Sequence, residues 1–150
     1  RQMGSEPGDV EVVGVCRSHI TRHGDSPLNH QMENELTDED NRFNRYQKDF
    51  KVGCFDIGLL EYVMENHGFD RICLTRCDTP TMPQIAQNVY EFNKPRTIED
   101  QIDNTYKYKN PKIISTRRLR DAAHLKEIIS DVVSIPIIES HGKTINDKRE

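Results

Sequence analysis

Tryptophan is absent from the 150-residue sequence, and apolar side chains are scarce: 34% of the residues are hydrophobic and 31% are charged. A chain of this length is the size of one ordinary domain and can bury a sizeable core. The composition is lean for a free-standing globular protein and more natural for a portion that rests on other protein. We therefore expect one domain, residues 1–150, with part of its core supplied from outside this chain.

An excess of positive charge is also missing, because the formal net charge is −4. Nucleic-acid binding needs a basic surface that neutralises phosphates, and the basic run STRRLR at 115–120 is too short to supply one. No apolar stretch approaches the roughly 20 residues that cross a bilayer, and no signal peptide opens the chain. We expect a cytoplasmic protein without a nucleic-acid or membrane partner. The first residue is not methionine, which suggests a processed product or a segment of something longer.

The sequence has no CxxC pair. Its four cysteines lie too far apart and too irregularly for a small disulfide scaffold, so we expect reduced thiols at Cys16, Cys54, Cys73 and Cys77. A zinc site is the alternative, and its ligands would be Cys16, His19, His23, Cys73 and Cys77. Because Cys16 and Cys73 lie within apolar stretches, where a thiol is usually core filling, we predict no metal site in this chain.

Signatures of a complete active site are absent as well. The sequence contains no GxxxxGK[ST] phosphate loop, no GxSxG elbow, no HExxH zinc helix and no Ser/His/Asp set at meaningful spacing. We interpret four of the histidines as surface or structural side chains, namely His19, His67, His124 and His141.

The apolar residues that are present predict an α/β fold. They alternate over 10–20, which indicates a strand, and recur at helical spacing over 56–67, where Asp56 precedes the stripe and Gly68 ends it. An apolar run at 71–75 predicts a buried strand. The remaining predictions are one strand within QNVYEFN (87–93), a mixed segment at 97–108, a helix at 121–131, a strand at 134–139 and a polar tail. Helices and strands in this order indicate a mixed sheet with flanking helices.

Residues 25–51 are rich in charged and amide side chains and contain few large apolar ones. We interpret this segment as a long, flexible polar connection with one helical turn in ELTDEDNRF (35–43). So long a loop in a compact domain is either disordered or functional. Its ordering is expected to need a ligand or another portion of the protein.

The stretch ICLTRCD at 72–78 is the first candidate for binding chemistry. Ile72 to Thr75 are typical of a strand buried in the middle of a sheet, and binding groups collect in the loops past the carboxyl ends of such strands. Asp78 is therefore a candidate ligand contact, although an aspartate before Thr-Pro also opens ordinary turns.

Three stretches together resemble the carboxyl-terminal third of adenylosuccinate synthetase, in the family's order. They are VVGVCRSHITRHGDSPL (12–28), KVGCFDIGLLEYVMENHGFDRICLTRCD (51–78) and SIPIIESHG (134–142). The resemblance covers nearly the whole chain and is strongest from Lys51 to Asp78, where no gap is needed. The short segment after Asp78 is closer to compact archaeal or phage-encoded forms than to the bacterial form.

Members of this family join L-aspartate to the 6-position of inosine monophosphate, using GTP and Mg²⁺, through a 6-phosphoryl intermediate. The resemblance implies that Asp78 accepts hydrogen bonds from guanine N1–H and N2–H. It places guanine binding at Arg76, Cys77, Asp78, Ser140, His141 and Gly142. It places a loop that closes on L-aspartate and the purine nucleotide at Asn44, Arg45, Tyr46, Gln47 and Lys48. A homodimer is also implied.

The family's phosphate-binding glycine loop, catalytic aspartate and catalytic histidine belong to its amino-terminal part and have no counterpart here. The resemblance therefore implies no catalytic residue in this chain, Mg²⁺ bound by residues outside it, and no activity of the chain alone. Lys48 stands where the family has an arginine, and Arg76 where it has a lysine. Either Arg42 or Arg45 supplies the missing cation, or substrate use has changed.

Two other functions remain open from the sequence. One is a phage-type aminoadenylosuccinate synthetase, which acts on dGMP with ATP or dATP. Against it, the Asp78 carboxylate and adenine N1 are both hydrogen-bond acceptors and would not bond to each other. The other is a non-catalytic module that keeps the fold and uses 97–112 and the basic TRRLR (116–120) for protein contacts.

Overall fold

A computed structural model describes residues 10–25, 27–32, 43–78, 84–94, 96–111, 115–142 and 144–149. The strands in these ranges are β1 (Val13–Arg17), β2 (Ile20–His23), β3 (Phe50–Gly53), β4 (Phe55–Asp56), β5 (Arg71–Thr75), β6 (Gln84–Ala86), β7 (Thr116–Arg118), β8 (Ile137–Ser140) and β9 (Lys148–Arg149). The α-helices are α1 (Ile57–Asn66), α2 (Ile98–Lys109) and α3 (Ala122–Val132), and a 3₁₀ helix spans Ile145–Asp147.

The main sheet has four strands in the order β1-β5-β8-β9. Strand β5 pairs in parallel with both β1 and β8, whereas β9 runs antiparallel to β8. The predicted mixed sheet with flanking helices is therefore confirmed. Strand β5 also has the predicted bounds, and it lies inside the sheet because Ile72 and Leu74 are both buried.

Helices α1 and α3 begin as their sequences predict. Asp56 accepts hydrogen bonds from the backbone N–H groups of Gly58 and Leu59, and Asp121 accepts one from His124 N–H, so both are N-caps. The apolar face of α3 carries Leu125, Ile128 and Ile129 into the core. That core also contains Phe55, Ile57, Ile72, Leu74, Ile85, Leu119, Val133 and Ile137.

The predicted strand at 10–20 was wrong as a single element. The chain bends at Ser18 and His19, which are both buried, and Ser18 N–H donates to Thr75 O at 2.9 Å. Strand β1 therefore stays in the parallel sheet, while β2 leaves it and pairs antiparallel with β3. The alternation of apolar residues continues through the bend, so the pattern alone does not show it.

Three further predictions are corrected. The mixed segment at 97–108 is helix α2, whose first turn is stabilised by a capping box between Thr97 and Asp100. The strand expected within 87–93 lies earlier, at β6, which pairs with β4 and β7. The polar tail folds back as β9 onto β8.

Residues 25–51, which we call the arm, begin after β2 and end in β3, so these two paired strands lie at its base. Its described residues 29–32 contact the rest of the chain, because Met32 N–H donates to Val52 O at 2.8 Å and Asn29 N–H donates to the Tyr108 hydroxyl at 3.1 Å. Gly24 N–H donates to Asp49 O at 3.0 Å, which extends that pairing by one step. Residues 50 and 51 therefore belong to β3 rather than to the loop. The predicted helical turn at 35–43 lies outside the described residues except for its last residue, Phe43.

Within the described residues, every helix is too short or too polar to cross a bilayer.

Candidate functional site

The carboxyl ends of the three parallel strands meet at one edge of the main sheet. Arg17 of β1 lies beside Thr75 of β5, and Thr75 lies beside Ser140 of β8. The loops after β5 and β8 therefore emerge side by side, as loops do at ligand sites of open α/β sheets. This register brings the predicted residues 76–78 and 140–142 together, although more than sixty positions separate them in the sequence.

Backbone hydrogen bonds hold these loops against each other. Cys77 N–H donates to Ser140 O at 3.1 Å, and Ser18 Oγ donates to Arg76 O at 2.9 Å. The loop after β1 thus joins the other two through Ser18. We refer to residues 17–19, 76–78 and 140–142 as the carboxyl edge.

Arg76 and Asp78 occupy the middle loop in different ways. Arg76 has a φ of 63°, in the left-handed region that non-glycine residues seldom adopt. This conformation turns the chain sharply after β5, so the next residues run along the carboxyl edge. The side chain of Asp78 is exposed, and within the described part of the chain no hydrogen bond occupies its carboxylate. Residues 79–83, which follow Asp78, lie outside the described part of the chain, so the exposure of this carboxylate refers to the described residues alone.

The loop after β8 is held by the end of the chain. Lys148 Nζ donates to Ser140 Oγ at 2.6 Å and to Gly142 O at 3.0 Å, and His141 N–H donates to Asp147 O at 2.9 Å. A Cβ at Gly142 would lie 2.6 Å from Asp147 Oδ2, so a larger residue there would require the Asp147 side chain to shift. The Ser140 hydroxyl donates to Gly142 O at 3.2 Å and accepts from Lys148, so it can donate to a base only by giving up Gly142 O.

His19 is a carboxyl-edge residue that the sequence did not single out for binding. Its ring is buried beside Ser18, whose Oγ lies 3.2 Å from His19 Nδ1. Burial, followed by the nearby charges of Arg76 and Arg17, lowers the pKa of His19 from 6.5 to about 4. His19 is therefore neutral at physiological pH. The sequence carried no signal for this position, because the predicted strand at 10–20 ran through His19.

The predicted loop 44–48 forms its own tight turn on the arm. Asn44 Oδ1 accepts from the backbone N–H groups of Tyr46 and Gln47 at 3.0 and 2.8 Å, and an antiparallel bridge joins Asn44 to Lys48. Lys48 has a φ of 59°, and its ammonium forms an exposed ion pair with Asp25. Arg45 lies over the ring of Tyr46, with Cζ 4.6 Å from the centroid. The contacts of this turn lie within the arm, and Arg42 is outside the described residues.

An apolar cavity of about 400 Å³ lies beside the carboxyl edge, between β1, β2 and α1. Cys16, Ile20, Leu59 and Leu60 line it, and His19 and Asp56 provide polar atoms at its wall. Burial is the main cause that raises the pKa of the Cys16 thiol to about 12. This thiol stays protonated, in agreement with the predicted core filling. Arg17 also belongs to the lining and brings a positive charge to it.

The cysteines and histidines of the alternative zinc site do not gather as that alternative requires. Among the described residues, the cluster of three metal-ligating side chains consists of Cys77, Glu139 and His141. His23 instead lies on β2, where its ring packs against Phe50 at a centroid distance of 5.0 Å. The spacing of CRSHITRH was therefore not a guide to ligand geometry.

Comparison with curated proteins identifies relatives of this chain. It is 32% identical over 109 residues to adenylosuccinate synthetase from Drosophila mojavensis, a match over 68% of this chain. This chain belongs to the adenylosuccinate synthetase family. It is also 35% identical over 90 residues to adenylosuccinate synthetase from Drosophila persimilis, over 55% of this chain and 20% of the relative. No protein-family profile matches the chain.

The adenylosuccinate synthetase fold is shared as well. The fully ligated adenylosuccinate synthetase from Plasmodium falciparum superposes with a TM-score of 0.60 and 17% sequence identity. The match covers 97% of this chain and 41% of that structure. The chain spans about a quarter of the length of the first Drosophila relative, 24%.

Proposed function

We propose that this chain is the carboxyl-terminal, nucleotide- and aspartate-binding portion of a GTP-dependent ligase that joins L-aspartate to inosine monophosphate in purine nucleotide biosynthesis. Family membership supports the ligase class. The observation that supports the proposal is the carboxyl edge, where β5 and β8 bring the loop of Asp78, an exposed residue, beside the 140–142 loop.

Asp78 is the guanine-recognising residue in this proposal. An ionised carboxylate accepts two hydrogen bonds from guanine N1–H and N2–H, and charge-assisted bonds of this kind are short and strong. Arg76 and Cys77 shape the turn that presents Asp78, and Ser140, His141 and Gly142 border it from the neighbouring strand. Lys148 already holds the 140–142 loop closed, so backbone groups of that loop would meet the base in a fixed position.

The 44–48 turn is the aspartate-binding loop in this proposal. Lys48 would exchange Asp25 for a carboxylate of L-aspartate, because both partners of the present ion pair are exposed and such pairs contribute little stability. The Lys48 ammonium is a point charge and does not form the bidentate contact that a guanidinium forms with a carboxylate. Arg45 is therefore the candidate for the second contact. Asn44 shapes the turn that carries both cations.

Mg²⁺ would be bound outside this chain. Magnesium prefers oxygen ligands in octahedral geometry, whereas the three-residue cluster of the described part offers one thiol, one imidazole and one carboxylate. The donor set does not fit Mg²⁺. In this proposal the portion that completes the enzyme binds Mg²⁺ and carries out the chemistry, and the chain alone has no activity. A cytoplasmic homodimer is part of the same proposal.

The direct test is activity of the complete enzyme that carries this chain. Adenylosuccinate formation from inosine monophosphate, L-aspartate and GTP should be followed by chromatography of the products, with the isolated chain as the control that forms none. Product from dGMP with ATP, and none from inosine monophosphate with GTP, would replace the proposal by the phage-type reaction. Absence of product with either pair would leave the non-catalytic module.

A second candidate, the non-catalytic module, is favoured by one observation on α2. Ile98, Ile102 and Tyr106 recur every fourth residue, which places them on one face, and each is more than 60% exposed. Such a face is typical of a protein contact. Ile102→Asp separates the candidates. In a module it should abolish association through this face, measured by light scattering. In a ligase portion it should leave kcat/KM of the complete enzyme unchanged.

A further inference from the structure

The ligand atoms of Cys77, Glu139 and His141 lie within 4.8 Å of one another. They come from two neighbouring strands of the main sheet, because Cys77 follows β5 while Glu139 and His141 lie at the end of β8. The closest pair is His141 Nε2 and Glu139 Oε2 at 2.7 Å. We propose that these three side chains form a binding site for a zinc-class divalent transition-metal ion.

The backbone positions the three donors before any metal arrives. The hydrogen bond from Cys77 N–H to Ser140 O fixes the turn that carries Cys77 against β8. The bond from His141 N–H to Asp147 O fixes the imidazole from the other side. Because these bonds already fix the backbone of both residues, metal binding would have to order only their side chains.

The two carboxylate oxygens of Glu139 have different partners: one contacts Lys126 and the other faces the proposed metal site. Its Oε1 lies 3.4 Å from Lys126 Nζ, whereas Oε2 faces His141. The residue is only 9% exposed, and a buried carboxylate is stable only when it is paired. Lys126 thus acts as the outer partner that orients a ligating carboxylate, an arrangement that raises the affinity of protein metal sites.

The donor set selects the kind of ion. Sulfur, imidazole nitrogen and carboxylate oxygen suit Zn²⁺ and Co²⁺, which accept tetrahedral sites with three protein ligands and one open position. Bond lengths of about 2.0 to 2.3 Å to the ion require donors roughly 3 to 4 Å apart, so the cluster needs only a small adjustment. The ion replaces the Glu139–His141 hydrogen bond and the 3.2 Å contact from Cys77 Sγ to Leu74 O.

Coordination forms a metal–sulfur bond and releases the thiol proton to solvent, with no change in oxidation state. The ion would tie the loop after β5 to the loop after β8, on either side of the Cys77–Ser140 hydrogen bond. The inference does not require a nucleotide at the carboxyl edge, because it depends only on the three donors. A failure of GTP binding would therefore leave it intact.

The test uses the reduced, chelator-treated chain titrated with Co²⁺, whose thiolate charge-transfer absorption reports sulfur coordination. One ion per chain and a thiolate band are expected, and Zn²⁺ should displace the band. Cys77→Ser should abolish the band, and Glu139→Gln and His141→Gln should each weaken Co²⁺ binding by about tenfold or more. Cys54→Ser and His67→Gln are matched controls outside the cluster and should bind as the unmodified chain does.

A second measurement avoids reliance on the variants folding. Zn²⁺ should slow alkylation of Cys77 in the unmodified chain by about tenfold, measured by mass spectrometry of the peptide that contains it. Alkylation of Cys77 at the same rate with and without Zn²⁺ would overturn the proposal. A Co²⁺ complex that lacks a thiolate band, or that survives Cys77→Ser, would overturn it as well.

Discussion

At the scale of single residues, Gly58 is the described glycine at which an added Cβ would meet its closest neighbour. A Cβ there would lie 2.1 Å from Asn88 O, a backbone atom, and Asn88 is itself held by a 2.7 Å hydrogen bond from its Nδ2 to Asp56 Oδ2. A shift of Asn88 would disturb this bond to Asp56, the residue whose Oδ1 caps α1. The backbone of the segment after β6 therefore packs directly on the first turn of α1.

We predict that Gly58→Ala lowers the free energy of unfolding by about 2 kcal/mol or more, because the added methyl group displaces packed backbone. Gly68→Ala is the matched control, since no heavy atom lies within 4 Å of its added Cβ, and we expect a change within about 0.5 kcal/mol. Urea unfolding followed by circular dichroism measures both. Equal effects of the two substitutions would contradict the packing at Gly58.

His19 makes the stability of the chain depend on pH. Its pKa in the folded chain is about 4, below the ordinary 6.5, so the unfolded chain takes up this proton at a higher pH than the folded chain does. The stabilising contribution of neutral His19 to the free energy of unfolding is complete above pH 6.5 and is lost as the pH falls from 6.5 towards about 4. Burial is the main cause, and Arg76 and Arg17 add to it.

We predict that the free energy of unfolding falls by about 2 kcal/mol between about pH 7 and about pH 4.5, and that His19→Gln removes most of this fall. Urea unfolding at both pH values provides the measurement. His67→Gln, at an exposed position, should keep the pH dependence of the unmodified chain. If His19→Gln retained the same dependence, the buried neutral histidine would not be its source.

At the scale of elements, strong apolar periodicity was enough to predict α1, α3 and β5. Their apolar residues face one continuous core, so spacing in the sequence reports burial directly. Helix α2 has no buried residue, so the spacing of its apolar residues does not correspond to a core-facing side. Its start is marked only by the capping box between Thr97 and Asp100. Strand β9 has two residues, both basic, and pairs only at a sheet edge, which no periodicity reveals.

The candidate site could be predicted only in part for the same reason. Asp78 follows a buried strand, and that position alone indicated a binding loop. Its closeness to Ser140 depends on which strands pair, and the residues alone do not give the order β1-β5-β8. The clustering of Cys77 with Glu139 and His141 depends on the same pairing, so a sequence search for regularly spaced ligands missed it.

The arm at 25–51 leads to a prediction about dynamics. Within the described residues of the arm, Phe43 and Tyr46 are largely exposed, and the contacts of the 44–48 turn are local. Local contacts at the surface open more easily than a helix that packs on the core. We predict that backbone amides of 43–49 exchange with deuterium far faster than those of α1. Mass spectrometry of the isolated chain gives both rates, and equal protection would contradict a loop that a ligand must order.

At the scale of the whole molecule, one side of the main sheet has little cover. Strand β1 is an edge strand of the described sheet, and Val13 and Val15 on it are exposed, Val15 by 72%. The apolar cavity opens beside the same strand. That further protein covers this side stays a prediction from the lean composition.

The central claim is that Asp78 reads guanine in the complete enzyme. A site built to accept two donors leaves its polar groups unpaired when adenine binds, so we expect GTP to be preferred by roughly 2 to 4 kcal/mol, about 30- to 1,000-fold. Asp78→Asn keeps the shape but turns one acceptor into a donor, which opposes guanine N1–H or N2–H.

The measurement is kcat/KM for GTP and for ATP in the complete enzyme, in its Asp78→Asn variant, and in Asp131→Asn as a control at an exposed carboxylate on α3. We predict a strong GTP preference in the unmodified enzyme and in Asp131→Asn, and a preference below about tenfold in Asp78→Asn. An unchanged ratio in Asp78→Asn, or an unmodified enzyme that prefers ATP, would contradict the claim.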